Sequence, residues 1–81
     1  MNKVADFRRK DLSGKVRMLY SDGFFITSIR YYGYKVNLYL LEDEYFEVFY
    51  NHKDDRIESI ETLDRQHSRM KFYADQIKLE L

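Results

Sequence analysis

Cysteine, proline and tryptophan are absent from this 81-residue chain, and glycine occurs only three times. Without cysteine there can be no disulfide and no thiolate metal site. Without proline, no strand or helix is interrupted by a missing backbone donor. Excess charge is lacking too: 14 Lys and Arg balance 14 Asp and Glu. A dedicated nucleic-acid binder usually carries a basic surplus to neutralise phosphates, so this balance argues against one. Long apolar runs are also missing. No stretch approaches the roughly 18 apolar residues of a membrane span. The first twenty residues alternate charged and apolar types, without an apolar run of signal-peptide length. The expectation is a soluble, cytoplasmic protein with no membrane partner.

Aromatic residues are plentiful, with eight Tyr and six Phe. Eighty-one residues are expected to form a single domain, and so short a chain has a thin stability margin. Lacking disulfides, it must rely on a well-filled core, on self-association, or on both. Charge is unevenly placed. Residues 1–20 hold six basic side chains against two acidic, whereas residues 42–64 hold nine acidic against Lys53 and Arg56. An acidic middle between basic ends suits internal pairing first and head-to-tail association second.

Four runs carry the strongest structural signal: Phe24 to Tyr32, Tyr34 to Leu41, Tyr45 to Tyr50 and Arg56 to Thr62. Each is rich in aromatic and β-branched residues, and short turn candidates separate them: Gly33, Glu42-Asp43 and residues 51–55. Asp55 suits a left-handed turn position. Such short connections predict an antiparallel meander, since a parallel crossover needs a dozen or more residues. Leu12, Val16, Leu19 and Tyr20 fall at helical spacing, with Asp11 as a cap and Gly23 as a stop. A strand over the same residues, turning at Ser21-Asp22-Gly23, is the rival reading. Leu63, His67, Met70, Ala74, Ile77 and Leu81 predict a C-terminal helix starting near Asp64. Phe72 then lies opposite that stripe, beside Arg65 and Arg69. Residues 1–10 read as a loosely ordered lead-in. The expected fold is α+β: a four-stranded antiparallel meander with an N-terminal and a C-terminal helix packed on it.

Alternation assigns faces to the strands. Val36, Leu38, Leu40, Phe46 and Val48 are expected on one apolar core face. Tyr39, Tyr45 and Phe49, mixed with Lys35, Asn37 and Glu47, are expected on the other, which becomes the candidate functional surface.

No catalytic set is evident. His52 sits in a turn, His67 lies on the apolar stripe, and neither has a nucleophile at a recognisable spacing. Ser13-Gly14-Lys15 lacks the first glycine and spacer of a phosphate loop. The acidic residues around the turns, Glu42 to Glu47 and Asp54 to Glu61, lack calcium-loop spacing and read as solvated edge charges. The chain is therefore expected to be a non-enzyme without cofactor or metal. Tyr31, Tyr32, Tyr34 and Tyr39, interleaved with Arg30 and Lys35, could stack and neutralise single-stranded nucleic acid. The plainer reading packs those tyrosines under a helix or across a dimer seam. The interaction candidates are thus Arg30, Tyr31, Tyr32, Tyr34, Lys35, Tyr39, Tyr45, Phe49 and Phe72. The expected partner is protein, with a second copy of the chain as first candidate, and nucleic acid ranks behind it.

The stretches Val36 to Leu41, Glu47 to Asn51, and Asp55-Arg56-Ile57 with Ile60 resemble small bacterial α+β domains with no assigned activity. The resemblance covers residues 34–63. It implies a bacterial, cytoplasmic setting and brings no site residue with it.

Overall fold

Side-chain caps start the two N-terminal helices. In the computed structural model, which describes residues 2–64 and 69–74, Asn2 Oδ1 accepts the Val4 and Ala5 N–H groups at 3.0 and 3.2 Å. This opens α1 (Lys3–Arg8). Asp11 accepts the Gly14 N–H at 2.9 Å and opens α2 (Leu12–Asp22), so the helical reading of this segment prevails over the strand. Each such cap contributes about 0.5–2 kcal/mol. Within the segment expected to be a loose lead-in, Lys3–Arg8 are helical. Val4 and Phe7, one helical turn apart on α1, are both buried.

Gly23 makes the corner out of α2. A Cβ there would lie 2.8 Å from the Leu19 carbonyl oxygen and 3.3 Å from that of Leu40, both backbone atoms that cannot swing aside.

Four strands follow: β1 (Phe24–Tyr31), β2 (Tyr34–Leu41), β3 (Glu44–Asn51) and β4 (Arg56–Leu63). They form one antiparallel sheet in the order β1-β2-β3-β4. Tyr32 and Gly33 both have positive φ (47° and 84°), the signature of a two-residue type I′ hairpin. Glu42 (φ 57°) and Asp55 (φ 52°) are the left-handed residues of the other two turns. Helix α3 (Met70–Ala74) is the last element among the described residues, and the fold is α+β. It differs from expectation at its start, because Leu63 ends β4 rather than beginning a helical stripe. His67, Ile77 and Leu81 of that stripe lie outside the described residues. Within α3, Met70 and Tyr73 are buried and Phe72 is exposed.

The two-residue turn at Glu42-Asp43 decides which side chains share a face. Leu41 pairs with Glu44, so Leu40 faces Tyr45, Leu38 faces Glu47 and Val36 faces Phe49. Phe46 and Val48 instead lie beside Tyr39 and Asn37. The expected single apolar face is therefore incorrect: its members divide between both faces, and each face has its own core. On one, Val4, Phe7, Met18 and Leu19 of α1 and α2 cover Leu41, Phe46 and Val48, with the Phe7 and Phe46 rings 4.5 Å apart. On the other, Met70 and Tyr73 of α3 cover Ile29, Val36, Leu38, Phe49 and Leu63. The Arg8–Glu44 ion pair (2.7 Å) and the Val4 N–H donating to Glu42 (3.2 Å) tie α1 to the β2–β3 turn.

Candidate interaction surface at the β1 edge

One charged side chain sits in the core beneath α3. Glu47, read from the sequence as a solvated charge, is fully buried. Arg69 donates to both of its carboxylate oxygens from Nε and Nη2, at 2.8 to 3.1 Å. The Tyr73 hydroxyl donates to Oε2 at 2.8 Å. The guanidinium also lies over the Phe49 and Tyr31 rings, 5.4 and 5.6 Å from their centroids. Burial, then the Glu47 hydrogen bond, pushes the Tyr73 hydroxyl far above the ordinary tyrosine range. The bond to Glu47 raises the already high Arg69 pKa. This network is saturated internally: among the described residues, every buried side-chain nitrogen or oxygen has a partner. Its chemistry is that of a clamp holding α3 to the sheet.

A different environment surrounds β1, an edge strand with no strand beyond it among the described residues. Seven of its eight residues are uncharged, Arg30 being the exception. A bulge lies between Phe25 and Thr27, where Ile26 has no partner on β2. Phe24 is 71% exposed and Phe25 56%. Tyr20, exposed on the last turns of α2, approaches Tyr39 at 5.7 Å, and Phe25 meets the same ring edge-on at 5.6 Å. Tyr20, Phe25 and Tyr39 thus form an aromatic surface at the open end of the edge, and Phe24 is exposed on the opposite face.

The nine candidates from the sequence do not assemble into one surface. Phe49 is buried under Arg69, and Tyr45 is half-buried against the same core. Tyr39 belongs to the opposite face, so Tyr39, Tyr45 and Phe49 do not share the surface expected for them. The Tyr34 hydroxyl donates to Glu58 at 2.9 Å, and its ring meets Phe49 edge-on. Tyr31 is enclosed by Tyr32, Phe72 and Arg69. Tyr32, at the hairpin tip, is 87% exposed. Arg30 and Lys35 face each other across β1 and β2 and are both exposed. With Ser28, Ile29, His52 and Phe72 they line a depression of about 560 Å³.

Phe24, Phe25, Tyr20 and the buried Glu47 were not singled out from the sequence. A signal for the first two was present: adjacent strand residues point to opposite faces, so two consecutive phenylalanines cannot enter one core. Glu47 had no such signal, because its partners lie 22 and 26 positions away.

The remaining shifted groups also have structural partners. Hydrogen bonds from Asn51 and then Tyr34 lower the Glu58 pKa. Accepting carboxylates raise Tyr34 and Tyr50, through Glu58 and Asp55 respectively. Among the described residues, no group of three His, Asp or Glu side chains is placed to hold a metal ion, and no helix is long and apolar enough to cross a membrane. Comparison with protein-family models, curated proteins and solved structures finds no match. No activity or site residue is carried over to this chain from elsewhere.

Proposed function

We propose that this protein is a non-catalytic interaction module that recruits an extended, apolar strand of another polypeptide to the open edge of β1. The observation that carries this reading is the exposure of Phe24 and Phe25 on an edge strand whose only charged residue is Arg30. Such an edge offers unpaired N–H and C=O groups for strand addition, and pockets beside alternate side chains supply selectivity. The non-catalytic part is supported by the direction of the pKa shifts. Tyrosines and Arg69 move up and Glu58 moves down, so each is held more firmly in its neutral-pH form. A general acid or base needs the opposite tuning, towards neutrality.

The test compares complexes captured by the native chain with those captured by a Phe24→Lys/Phe25→Lys variant whose circular dichroism matches the native spectrum. The expected result is loss of the complexes in the variant. Equal capture by both would remove the β1 edge from the reading.

A second reading, single-stranded nucleic-acid binding, retains support from the exposed Arg30–Lys35 pair beside His52 and Tyr32. It is weakened by the enclosure of Tyr31 and Tyr34, which removes the stacking platform. Fluorescence titration with a labelled oligonucleotide at two salt concentrations decides it, since phosphate contacts must weaken as salt rises.

A further inference from the structure

We infer that the strand received by the β1 edge is β1 of a second copy, paired antiparallel about a two-fold axis at Ser28. This rests on the reading of β1 as an interaction edge and supplies its partner. The argument begins with hydrogen-bond phase. In a two-residue hairpin the closing pair, here Tyr31 and Tyr34, is the hydrogen-bonded one. Alternation from that pair turns the backbone groups of Tyr31, Ile29 and Thr27 towards β2. Those of Arg30 and Ser28 turn outward. An antiparallel partner centred on Ser28 meets these outward groups in phase, so the two copies of Ser28 exchange both backbone bonds.

Side chains then match along the same register. Thr27 lies opposite Ile29 of the second copy. The bulge offers Phe25 and Ile26 together to one residue, Arg30 of the second copy. Beyond it, Phe24 lies opposite Tyr31 of the second copy. The extra residue is essential to this match. Within one chain, Phe25 pairs with Tyr39 and Arg30 with Lys35, both on the face covered by α1 and α2. Phe24 pairs with Leu40, and Tyr31 with Tyr34, on the face covered by α3. Opposite residues in an antiparallel pair share a face, so Phe25 meets Arg30 and Phe24 meets Tyr31 on the correct sides. An exposed ring is thereby set against an exposed cation at two symmetric positions, a favourable cation–π arrangement. Arg30 also gains a partner, where within its own chain it faces only Lys35 across the ladder. A two-fold seam of this kind closes the open edge of both copies and makes one continuous eight-stranded sheet.

Because the chain has no cysteine, a single introduced thiol reports the register. In Ser28→Cys protein a short bis-maleimide, which adds one thiol at each end, should give a covalent dimer, while Ser59→Cys, on β4, should give none. Sedimentation equilibrium of the native chain should show a monomer–dimer equilibrium. Ser28→Pro removes only an outward N–H and should leave the circular dichroism intact while abolishing the dimer. Phe25→Lys, which sets a second cation opposite Arg30 at both symmetric positions, should weaken the dimer by more than about tenfold. A native chain that stays monomeric at about 1 mM, where even weak association registers, overturns the inference. So does a dimer that cross-links through position 59 and not 28. If the chain is monomeric but Phe24→Lys/Phe25→Lys still loses captured complexes, the interaction reading stands and only the second-copy assignment falls.

Discussion

The two edges of this sheet use the same device with opposite content. Each edge strand carries one bulge, between Phe25 and Thr27 in β1 and opposite Phe49–Tyr50 in β4. The unpaired residue is Ile26 in β1 and Glu58 in β4. Around them, β1 has one charged residue and four aromatic or aliphatic ones in its first and middle positions, whereas β4 has Arg56, Glu58 and Glu61. A charged bulge is a standard way to discourage strand addition, and an apolar one leaves the edge available. The difference teaches that exposure alone does not define an interaction edge. What matters is whether the strand has been made repellent, and only β4 has.

Behind the β1 edge lies the α3 clamp, and breaking it should have the largest effect. Arg69→Met leaves the Glu47 carboxylate buried without its cation, which should cost about 3–5 kcal/mol of stability in urea titration. Removing both charges, as Arg69→Met with Glu47→Leu, should restore most of that loss. A single variant as stable as native would show that the ion pair does not hold α3. The comparison of edges makes a further demand. Loosening α3 uncovers Ile29 and Tyr31 beside the β1 edge, so association should change at β1 and not at β4.

Tyr73→Phe breaks the same clamp more gently, at about 1–3 kcal/mol. Its pH signature is separate. The folded-state pKa of Tyr73 is raised, so its contribution is complete below the unfolded tyrosine value of about 10 and is lost as pH rises beyond it. Alkaline unfolding curves of the native chain should therefore fall more steeply above pH ~10 than those of Tyr73→Phe. Parallel curves would mean that the hydroxyl is not held as described.

Much of this architecture is legible in the sequence, and the failures have identifiable physical causes. Alternation and turn residues suffice for the four strands, and Asp11 with its following stripe suffices for α2. Alternation within each strand alone does not fix how the faces of β2 and β3 relate. The two-residue turn at Glu42-Asp43 fixes the relative phase, since Leu41 must then pair with Glu44. Helix α1 was obscured by its charged composition, although Asn2 before Val4 and Phe7 at i, i+3 was a usable signal. Of the surface candidates, Tyr39 was identified but not its neighbours Tyr20 and Phe25. Their convergence depends on how α2 packs over the sheet, which no local pattern encodes.

Exchanging the bulge residues tests the edge comparison directly. Ile26→Glu should weaken self-association by about tenfold or more, because Ile26 packs on the α3 face and the introduced carboxylate would enter the seam on the side away from the Arg30 guanidinium. Glu58→Ile should create a second adhesive edge and drive assembly beyond a dimer, visible as higher species in light scattering. An unchanged association state in both variants would mean that bulge content does not distinguish the edges.

Acidification provides the mildest test, because it removes the β4 charge without mutation. Glu58 accepts hydrogen bonds from Asn51 and from Tyr34, and these hold its carboxyl below the ordinary glutamate range. A lowered folded-state pKa stabilises the protein above the unfolded value of about 4.3, and that contribution is lost as pH falls through the folded value. Protonation also takes the charge off the bulge. Between pH ~5 and the acid transition, the native chain should lose a small increment of stability that Glu58→Gln has already lost at neutral pH. Over the same range its light scattering should rise towards that of Glu58→Gln. Scattering that rises equally in both proteins would place the acid-sensitive charge elsewhere on β4, with Glu61 the next to substitute.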